Sequence, residues 1–117
     1  MVEVSVLDCG ALIIGLERDL GLSPETIARA LDVDRRTVER WRSNQTVPHG
    51  TTRERLAALL NLRDRLFRMF DSSGAAQEWL RSASLYLGGF TPLEALRAGR
   101  LDRVRADLDG LVAGVYL

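Results

Sequence analysis

The sequence places most of its binding chemistry in arginine side chains. All 16 basic residues of the 117-residue chain are arginine, and 16 acidic residues balance their charge. A guanidinium group can form paired hydrogen bonds with a phosphate or with the edge of a guanine base. Because the net charge is zero, attraction to a nucleic acid requires a local cluster of arginines.

The densest arginine cluster lies on one short predicted helix, from Arg35 to Ser43. In the major groove, arginine can pair with guanine and glutamine with adenine, and each good pair gives about 1–3 kcal/mol of base discrimination. We expect Arg35, Arg36 and Arg40 to contribute most. The predicted DNA-binding residues are Arg35, Arg36, Thr37, Arg40, Arg42, Ser43, Gln45 and Thr51. The alternative is that these arginines form only a solvated helix face.

The sequence offers little for catalysis or for metal binding. Cys9 is the single cysteine and His49 the single histidine, so no internal disulfide and no cysteine or histidine pair for a metal can form. No pair of acids, and no nucleophile with a base, stands out from capping and surface positions. We therefore expect that the protein is not an enzyme and needs no metal or cofactor.

The sequence also predicts a cytoplasmic protein. Its amino-terminal segment lacks the charged start and continuous apolar stretch of a signal peptide. No segment approaches the roughly 18 uninterrupted apolar residues of a membrane span. A single cysteine fits a reducing compartment.

Two short helices joined by a tight turn would hold the arginine cluster. Ser23-Pro24 predicts the start of the first helix, because serine caps a helix and proline suits its first position. This helix runs to about Leu31, and Asp34 is placed to cap the second one. Val38 and Trp41 would turn inward. The pattern predicts a helix-turn-helix over roughly residues 23 to 44, whose second helix enters the major groove.

The flanking segments predict two further helices that support this motif. Asp8 is placed to cap an earlier helix, which Gly21 would end. Thr51 and Glu54 have the spacing of a capping box and would open a long helix. Both helices carry an apolar face, formed by Leu12, Ile13, Leu16 and Leu20 in the first and by Leu56, Leu59, Leu60, Leu66, Phe67 and Phe70 in the second.

The segment from Asp71 to Gly74 is short and rich in turn-forming residues, so we interpret it as a linker. It would divide a DNA-binding domain, residues 1–70, from a second domain, residues 71–117. No stretch has the alternating pattern of a β-strand. The predicted fold is therefore all-α, a helix-turn-helix module followed by a small helical domain.

The second domain is predicted to contain three helices. The first covers Ala75 to Ala83, and Gly88-Gly89 then forms a turn that bulky residues would resist. Thr91 to Glu94 supply a capping box for a short helix that ends at Gly99. The last helix begins near Arg100. Its apolar face is formed by Leu101, Val104, Leu108, Leu111, Val112 and Val115.

The segment from Glu25 to Pro48 resembles the helix-turn-helix of Xre-type regulators. The resemblance rests on the run Thr37-Val38-Glu39-Arg40-Trp41, followed by Asn44 and Pro48. Asn44 stands where the family pattern normally has glycine, and asparagine is another residue that tolerates the left-handed conformation. The resemblance implies an Xre-like module that binds double-stranded operator DNA.

Residues 75–117 resemble the toxin-binding region of the Xre/MbcA/ParS antitoxins, which pair with RES-domain toxins. The matching features are Ala76, Trp79-Leu80, Leu87-Gly88-Gly89, the run from Thr91 to Leu96, Gly99, and the ending Gly114-Val115-Tyr116-Leu117. Many members have an asparagine-proline pair where this chain has Ala83-Ser84. The resemblance implies an antitoxin that neutralises a NAD-destroying RES toxin and represses its own operon within a larger assembly.

The resemblance further implies that the carboxyl-terminal segment enters the active-site cleft of the toxin. The predicted toxin-binding residues are Leu93, Gly114, Val115, Tyr116 and Leu117. Chain ends are usually polar and frayed, whereas this one is apolar, and Tyr116 would provide a large, stiff anchor. The alternative is that the segment folds back onto the protein's own core.

The predicted assembly includes a homodimer. Two-fold symmetry would place two recognition helices about one DNA turn apart and match a palindromic operator. The alternative function is that of a free-standing helix-turn-helix regulator without a toxin partner. A gene for a RES-like toxin beside this one would favour the antitoxin.

Overall fold

Residues 9–114 are described by the structure, a computed structural model, and they form seven α-helices. In chain order these are α1 (Cys9–Leu20), α2 (Pro24–Leu31), α3 (Arg35–Arg42), α4 (Gly50–Phe70), α5 (Ser73–Leu80), α6 (Pro92–Arg97) and α7 (Leu101–Val112). No β-strand occurs within this range, so the predicted all-α fold is confirmed. None of these seven helices is long and apolar enough to cross a membrane.

The predicted helix-turn-helix forms at α2 and α3, and its capping residues act as the sequence indicates. The Ser23 hydroxyl accepts a hydrogen bond from the Thr26 amide at 3.1 Å. The Asp34 carboxylate accepts one from the Arg36 amide at 2.8 Å. These bonds satisfy amides that the first turn of each helix leaves without a partner. Helix α3 ends at Arg42, one residue before the predicted end.

Helix α1 packs against α3 and completes a three-helix unit. Its residues Ile13, Leu16 and Leu20 are fully buried, and they belong to the same core as the buried Val38 and Trp41 of α3. These inward positions confirm the helical pattern of the sequence. The predicted cap residue of α1, Asp8, lies outside the described residues.

Helix α4 begins before the predicted capping box, so that prediction is wrong. The helix starts at Gly50 with His49 at the cap position, and no side chain caps it. The Arg53 amide donates to the His49 carbonyl at 3.2 Å, which closes the first turn before the Thr51 hydroxyl could cap it. Thr51 and Glu54 therefore lie inside the helix. The predicted apolar face does form, with Leu56, Leu59, Leu60 and Leu66 buried and Phe67 and Phe70 partly buried.

Half of the predicted linker is helical, because α5 begins at Ser73. Asp71 ends α4 in a left-handed conformation, with φ of 66°. The Ser72 hydroxyl then accepts a hydrogen bond from the Ala75 amide at 3.1 Å and caps α5, which already includes Gly74. Buried residues before and after this corner belong to one hydrophobic core. The two predicted domains therefore share one hydrophobic core. Their division at residue 71 stays a prediction about which part binds which partner.

The carboxyl-terminal helices agree with the sequence except at their ends. Helix α5 ends at Leu80 rather than at Ala83. Thr91 caps α6, and Thr91 and Glu94 form both hydrogen bonds of the predicted capping box. In α7, Leu101, Val104 and Leu108 are buried and Leu111 is partly buried. Val112 belongs to the predicted apolar face but is 63% exposed in the last turn of α7.

Candidate nucleic-acid and partner interfaces

The outer face of α3 consists of Arg36 and Arg40. Val38 and Trp41 hold the helix in the core, with 0% and 2% of their surface exposed. Arg36 lies two residues before Val38 and Arg40 two residues after it, so each is about 160° around the helix axis from that buried side chain. Both arginines are exposed. Measured from Trp41, Arg36 is about 140° and Arg40 about 100° around the axis, so Arg36 points most directly outward and Arg40 lies beside it.

The other two arginines of α3 lie on its flank and are paired with acids of the protein. Arg35 Nε is 3.1 Å from Glu39 Oε1 on the same helix. Arg42 Nε is 2.9 Å from Glu17 Oε1 on α1. The Arg35–Glu39 pair is exposed and contributes little stability, whereas Glu17 in the other pair is only 19% exposed. Both pairs reduce the positive potential on this flank of the helix.

Arg36 and Arg40 themselves form no ion pair with any residue between 9 and 114. They are four residues apart, so they lie one above the other on the helix surface. Like charges at this spacing repel each other. A phosphate group or a guanine edge between them would relieve that repulsion, which makes the outer face of α3 the strongest candidate contact for DNA.

The remaining residues predicted to bind DNA lie around this face in different settings. Thr37 is half-buried on the opposite flank of α3. The Ser43 hydroxyl donates to the carbonyls of Glu39 and Arg40 at 3.1 and 3.3 Å, so it is already engaged within the helix end. Gln45 is exposed just beyond that end. Thr51 is exposed in the first turn of α4.

Asn44 has a second role that the sequence pattern did not reveal. It adopts the predicted left-handed conformation, with φ of 60°. Its side-chain Oδ1 also accepts a hydrogen bond from the Gly10 amide at 2.9 Å. A Cβ atom on Gly10 would lie 2.4 Å from the Arg42 carbonyl oxygen. Asparagine in place of the usual glycine thus joins the start of α1 to the end of the recognition helix, which glycine cannot do.

The predicted toxin-binding residues are divided between the core and the undescribed end. Leu93 is only 9% exposed and packs in the hydrophobic core, so its side chain offers little surface to a partner. Gly114 has a φ of 73°, and its amide donates to the Leu111 carbonyl at 3.2 Å. Val115, Tyr116 and Leu117 lie outside the described residues. Their contact with a toxin stays a prediction.

Sequence reasoning missed an exposed apolar loop, Ser84–Phe90, between α5 and α6. Leu85 is 97% exposed and Phe90 is 61% exposed, whereas Leu87 between them is buried at 9%. The guanidinium of Arg103 on α7 lies 5.2 Å from the centre of the Tyr86 ring, within the range of a cation–π contact. The signal in the sequence is the run of apolar residues around Gly88-Gly89. This run has no helical or strand periodicity, so the sequence does not predict which of its side chains are exposed.

The described residues hold little that suggests catalysis. Burial raises the pKa of the Cys9 thiol, which disfavours the reactive thiolate. No group of three or more potential metal ligands occurs among residues 9–114. Two candidate surfaces stand out among the described residues, the cationic outer face of α3 and the apolar loop Ser84–Phe90.

Comparisons with known proteins show what this chain is similar to. A family model described as a homeodomain-like domain matches residues 11–46, which adds α1 to the helix-turn-helix predicted from residue 23. The MbcA antitoxins of Mycobacterium bovis and Mycobacterium tuberculosis are 31% identical over 98 residues, covering 84% of this chain and 86% of theirs. The crystal structure of the M. tuberculosis MbcT–MbcA toxin–antitoxin complex contains a chain similar to this one, with a TM-score of 0.63, 29% identity, and 92% and 96% of the two chains covered.

Proposed function

The chain belongs to the MbcA family of antitoxins, and on this premise we propose that it neutralises a cognate RES-domain toxin that degrades NAD and represses its own operon. Residues 1–70 would bind the operator and residues 71–117 the toxin. The observation that carries this proposal is the likeness over 92% of the chain to the antitoxin crystallised with its toxin MbcT. Both activities would take place in the cytoplasm.

Neutralisation is proposed to be steric. The segment Val115–Leu117 would occupy space that the toxin's nucleotide substrate needs, and the antitoxin would perform no chemistry. The apolar character of this segment supports the proposal, because an apolar end gains free energy by leaving water for a pocket. Tyr116 would be the anchor, since tyrosine is enriched among residues that dominate interface energetics.

Repression is proposed to depend on the outer face of α3. In homeodomain-like modules the third helix lies in the major groove, and here α3 is the third helix of the matched segment. Arg36 and Arg40 point away from the core and have no acid partner among the described residues. A homodimer would present two such helices to a palindromic operator at a spacing of about 34–36 Å.

Co-expression with a RES-domain toxin encoded beside this gene tests the proposal. We expect the toxin alone to stop growth and deplete cellular NAD, and the full chain to restore both. A chain that lacks Val115–Leu117 should fail to restore them while keeping the helical circular dichroism of the wild type. Full protection by the truncated chain would refute the insertion of this segment. The absence of any neighbouring toxin would favour a free-standing regulator.

A further inference from the structure

We propose that the groove beside Asp107 binds a small organic cation, an ammonium ion with an apolar body, and that the Asp107 carboxylate is its counter-charge. The groove lies between α7, the end of α5 and the loop Ser84–Phe90, and its volume is about 200 Å³. This inference does not rest on the proposed antitoxin function, because neither DNA nor a toxin takes part in it.

Asp107 stands on the apolar face of α7 although it is an acid. It follows the buried Val104 by three residues and precedes the partly buried Leu111 by four, so the three side chains lie on one side of the helix. Only 5% of the surface of Asp107 is exposed. Burial of a charged group costs free energy unless a partner compensates for it. The position therefore requires a cation or a hydrogen-bond donor beside the carboxylate.

The Asp107 carboxylate has no such partner among residues 9–114. No side-chain hydrogen bond and no ion pair within this range involves it. Arg103 lies one turn earlier on the same helix, at a spacing that allows an ion pair. Its guanidinium lies instead over the Tyr86 ring, 5.2 Å from the ring centre. The buried acid of α7 is thus left for a cation from outside this part of the chain.

The other side chains of the groove are mostly apolar or aromatic, and they include Trp79, Leu85, Tyr86, Pro92 and Leu111. Two serines also line it. The Ser82 hydroxyl donates to the Glu78 carbonyl at 2.7 Å, and the Ser84 hydroxyl oxygen accepts from the Leu87 amide at 3.4 Å, so neither bonds to the carboxylate. Among the described residues that line the groove, Asp107 is the one with a charge.

This combination fits a small organic cation better than a metal ion. Divalent metal ions take several oxygen ligands, and no group of three or more potential metal ligands occurs among residues 9–114. An ammonium group on a hydrocarbon body would place its charge at the carboxylate and its body against Trp79 and Tyr86, whose ring faces attract cations. The groove is smaller than the roughly 300–1,000 Å³ of pockets for drug-sized ligands, so the ligand must be small.

Nuclear magnetic resonance titrations of the full chain with probes of similar shape and different charge test the proposal. The probes are phenethylammonium, which is a cation, 2-phenylethanol, which is neutral, and phenylacetate, which is an anion. We expect phenethylammonium to shift the indole signal of Trp79 and to bind at least about 10-fold more tightly than the alcohol, because hydrogen bonds between charged groups are stronger than neutral ones. Phenylacetate should not bind. Equal affinities for the cation and the alcohol, or no binding of the cation, would overturn the inference.

The variant Asp107→Asn removes the charge and keeps the shape of the side chain. It should bind phenethylammonium at least about 10-fold more weakly than the wild type. Its melting temperature without ligand should be no lower than that of the wild type, because a buried charge without a partner does not stabilise the fold. A clearly lower melting temperature would mean that the carboxylate has a partner within the fold, and this result would overturn the inference.

The matched control is Asp109→Asn, which removes the same charge from α7. Asp109 is exposed and already paired with Arg65 at 2.6 Å, so its loss should leave the affinity for phenethylammonium unchanged. If Asp109→Asn weakens the binding as much as Asp107→Asn does, the cation responds to the general charge of the helix and the groove is not its site.

Discussion

The outer face of α3 and the loop Ser84–Phe90 are both exposed, but they are built from opposite chemistry. The first presents two cations on a regular helix whose opposite side is buried in the core. The second presents two apolar side chains on an irregular loop held by backbone hydrogen bonds and two glycines. A helix face suits the regular groove of DNA, and a shaped apolar loop suits a pocket or ridge on another protein. The proposed function assigns the outer face of α3 to DNA, and the chemistry of the loop differs from what that partner needs.

Both surfaces are supported by one hydrophobic core. Trp41→Ala tests this dependence and should have the largest effect of the variants considered. Removing a buried tryptophan should lower the free energy of unfolding by about 3–5 kcal/mol and weaken operator and toxin binding together. Chemical denaturation followed by circular dichroism measures the loss. The control Trp79→Ala removes a partly buried ring that lies 6.2 Å from the Phe70 ring, and its effect should be smaller. Loss of operator binding together with part of the helical signal, while toxin binding is kept, would indicate two independent folding units.

Changing the outer face of α3 should weaken DNA binding without affecting toxin binding. Arg36→Ala/Arg40→Ala should weaken operator binding at least about 30-fold, because each good arginine contact gives about 1–3 kcal/mol. Toxin affinity should not change. Electrophoretic mobility shift with the DNA upstream of the gene measures the first effect and calorimetry the second.

The matched control is Arg35→Ala/Arg42→Ala, which removes the two arginines already paired with Glu39 and Glu17. We expect a smaller loss of affinity from this variant, since those guanidinium groups must first leave their acid partners. Equal losses from the two double variants would mean that all four arginines contact DNA alike. The wild-type affinity should also fall with salt, in proportion to the number of phosphates contacted.

Variants at Asn44 and Gly10 weaken the attachment of α3 to α1 and leave the arginines of α3 unchanged. Asn44→Gly keeps the left-handed conformation but removes the acceptor of the Gly10 amide, and we expect a loss of about 1 kcal/mol in stability. Gly10→Ala should destabilise more, because its Cβ would lie 2.4 Å from a backbone oxygen. Thermal unfolding ranks the two variants. A melting temperature unchanged by both would show that this contact is unimportant.

The smallest expected effect lies in the carboxyl-terminal half, at the capping box of α6. Hydrogen bonds from the Thr91 backbone and side chain hold the pKa of Glu94 below its ordinary value. The folded-state pKa is lowered, so the carboxylate stabilises the fold above the unfolded-state pKa, and this contribution is lost as the pH falls through the folded-state pKa. Glu94→Gln should slightly lower the melting temperature at neutral pH. A difference from wild type that grows at acidic pH would contradict this sign.

The sequence predicted those features that local residues determine. Ser23, Asp34 and Thr91 cap their helices as expected, because a cap needs only the side chain and the amides two or three residues later. Val38 and Trp41 face the core because residues three apart lie on the same side of an α-helix.

Features that depend on tertiary packing escaped prediction. The capping box at Thr51 failed because the chain enters α4 already at Gly50. Leu93 is buried although it was assigned to the toxin surface, while Leu85 is displayed although nothing in the sequence distinguishes it from Leu87. Apolar residues around a turn carry no periodicity, so only the packed structure decides which of them reach the core.

The central claim is that DNA and toxin bind to separate surfaces of one chain, and fluorescence anisotropy tests it most directly. The chain is first bound to a labelled DNA fragment from upstream of its own gene, and the toxin is then titrated in. We predict that the anisotropy rises further, because the toxin binds residues 71–117 while α3 stays on the DNA. A fall to the value of free DNA at saturating toxin would mean that the two partners compete for the same surface.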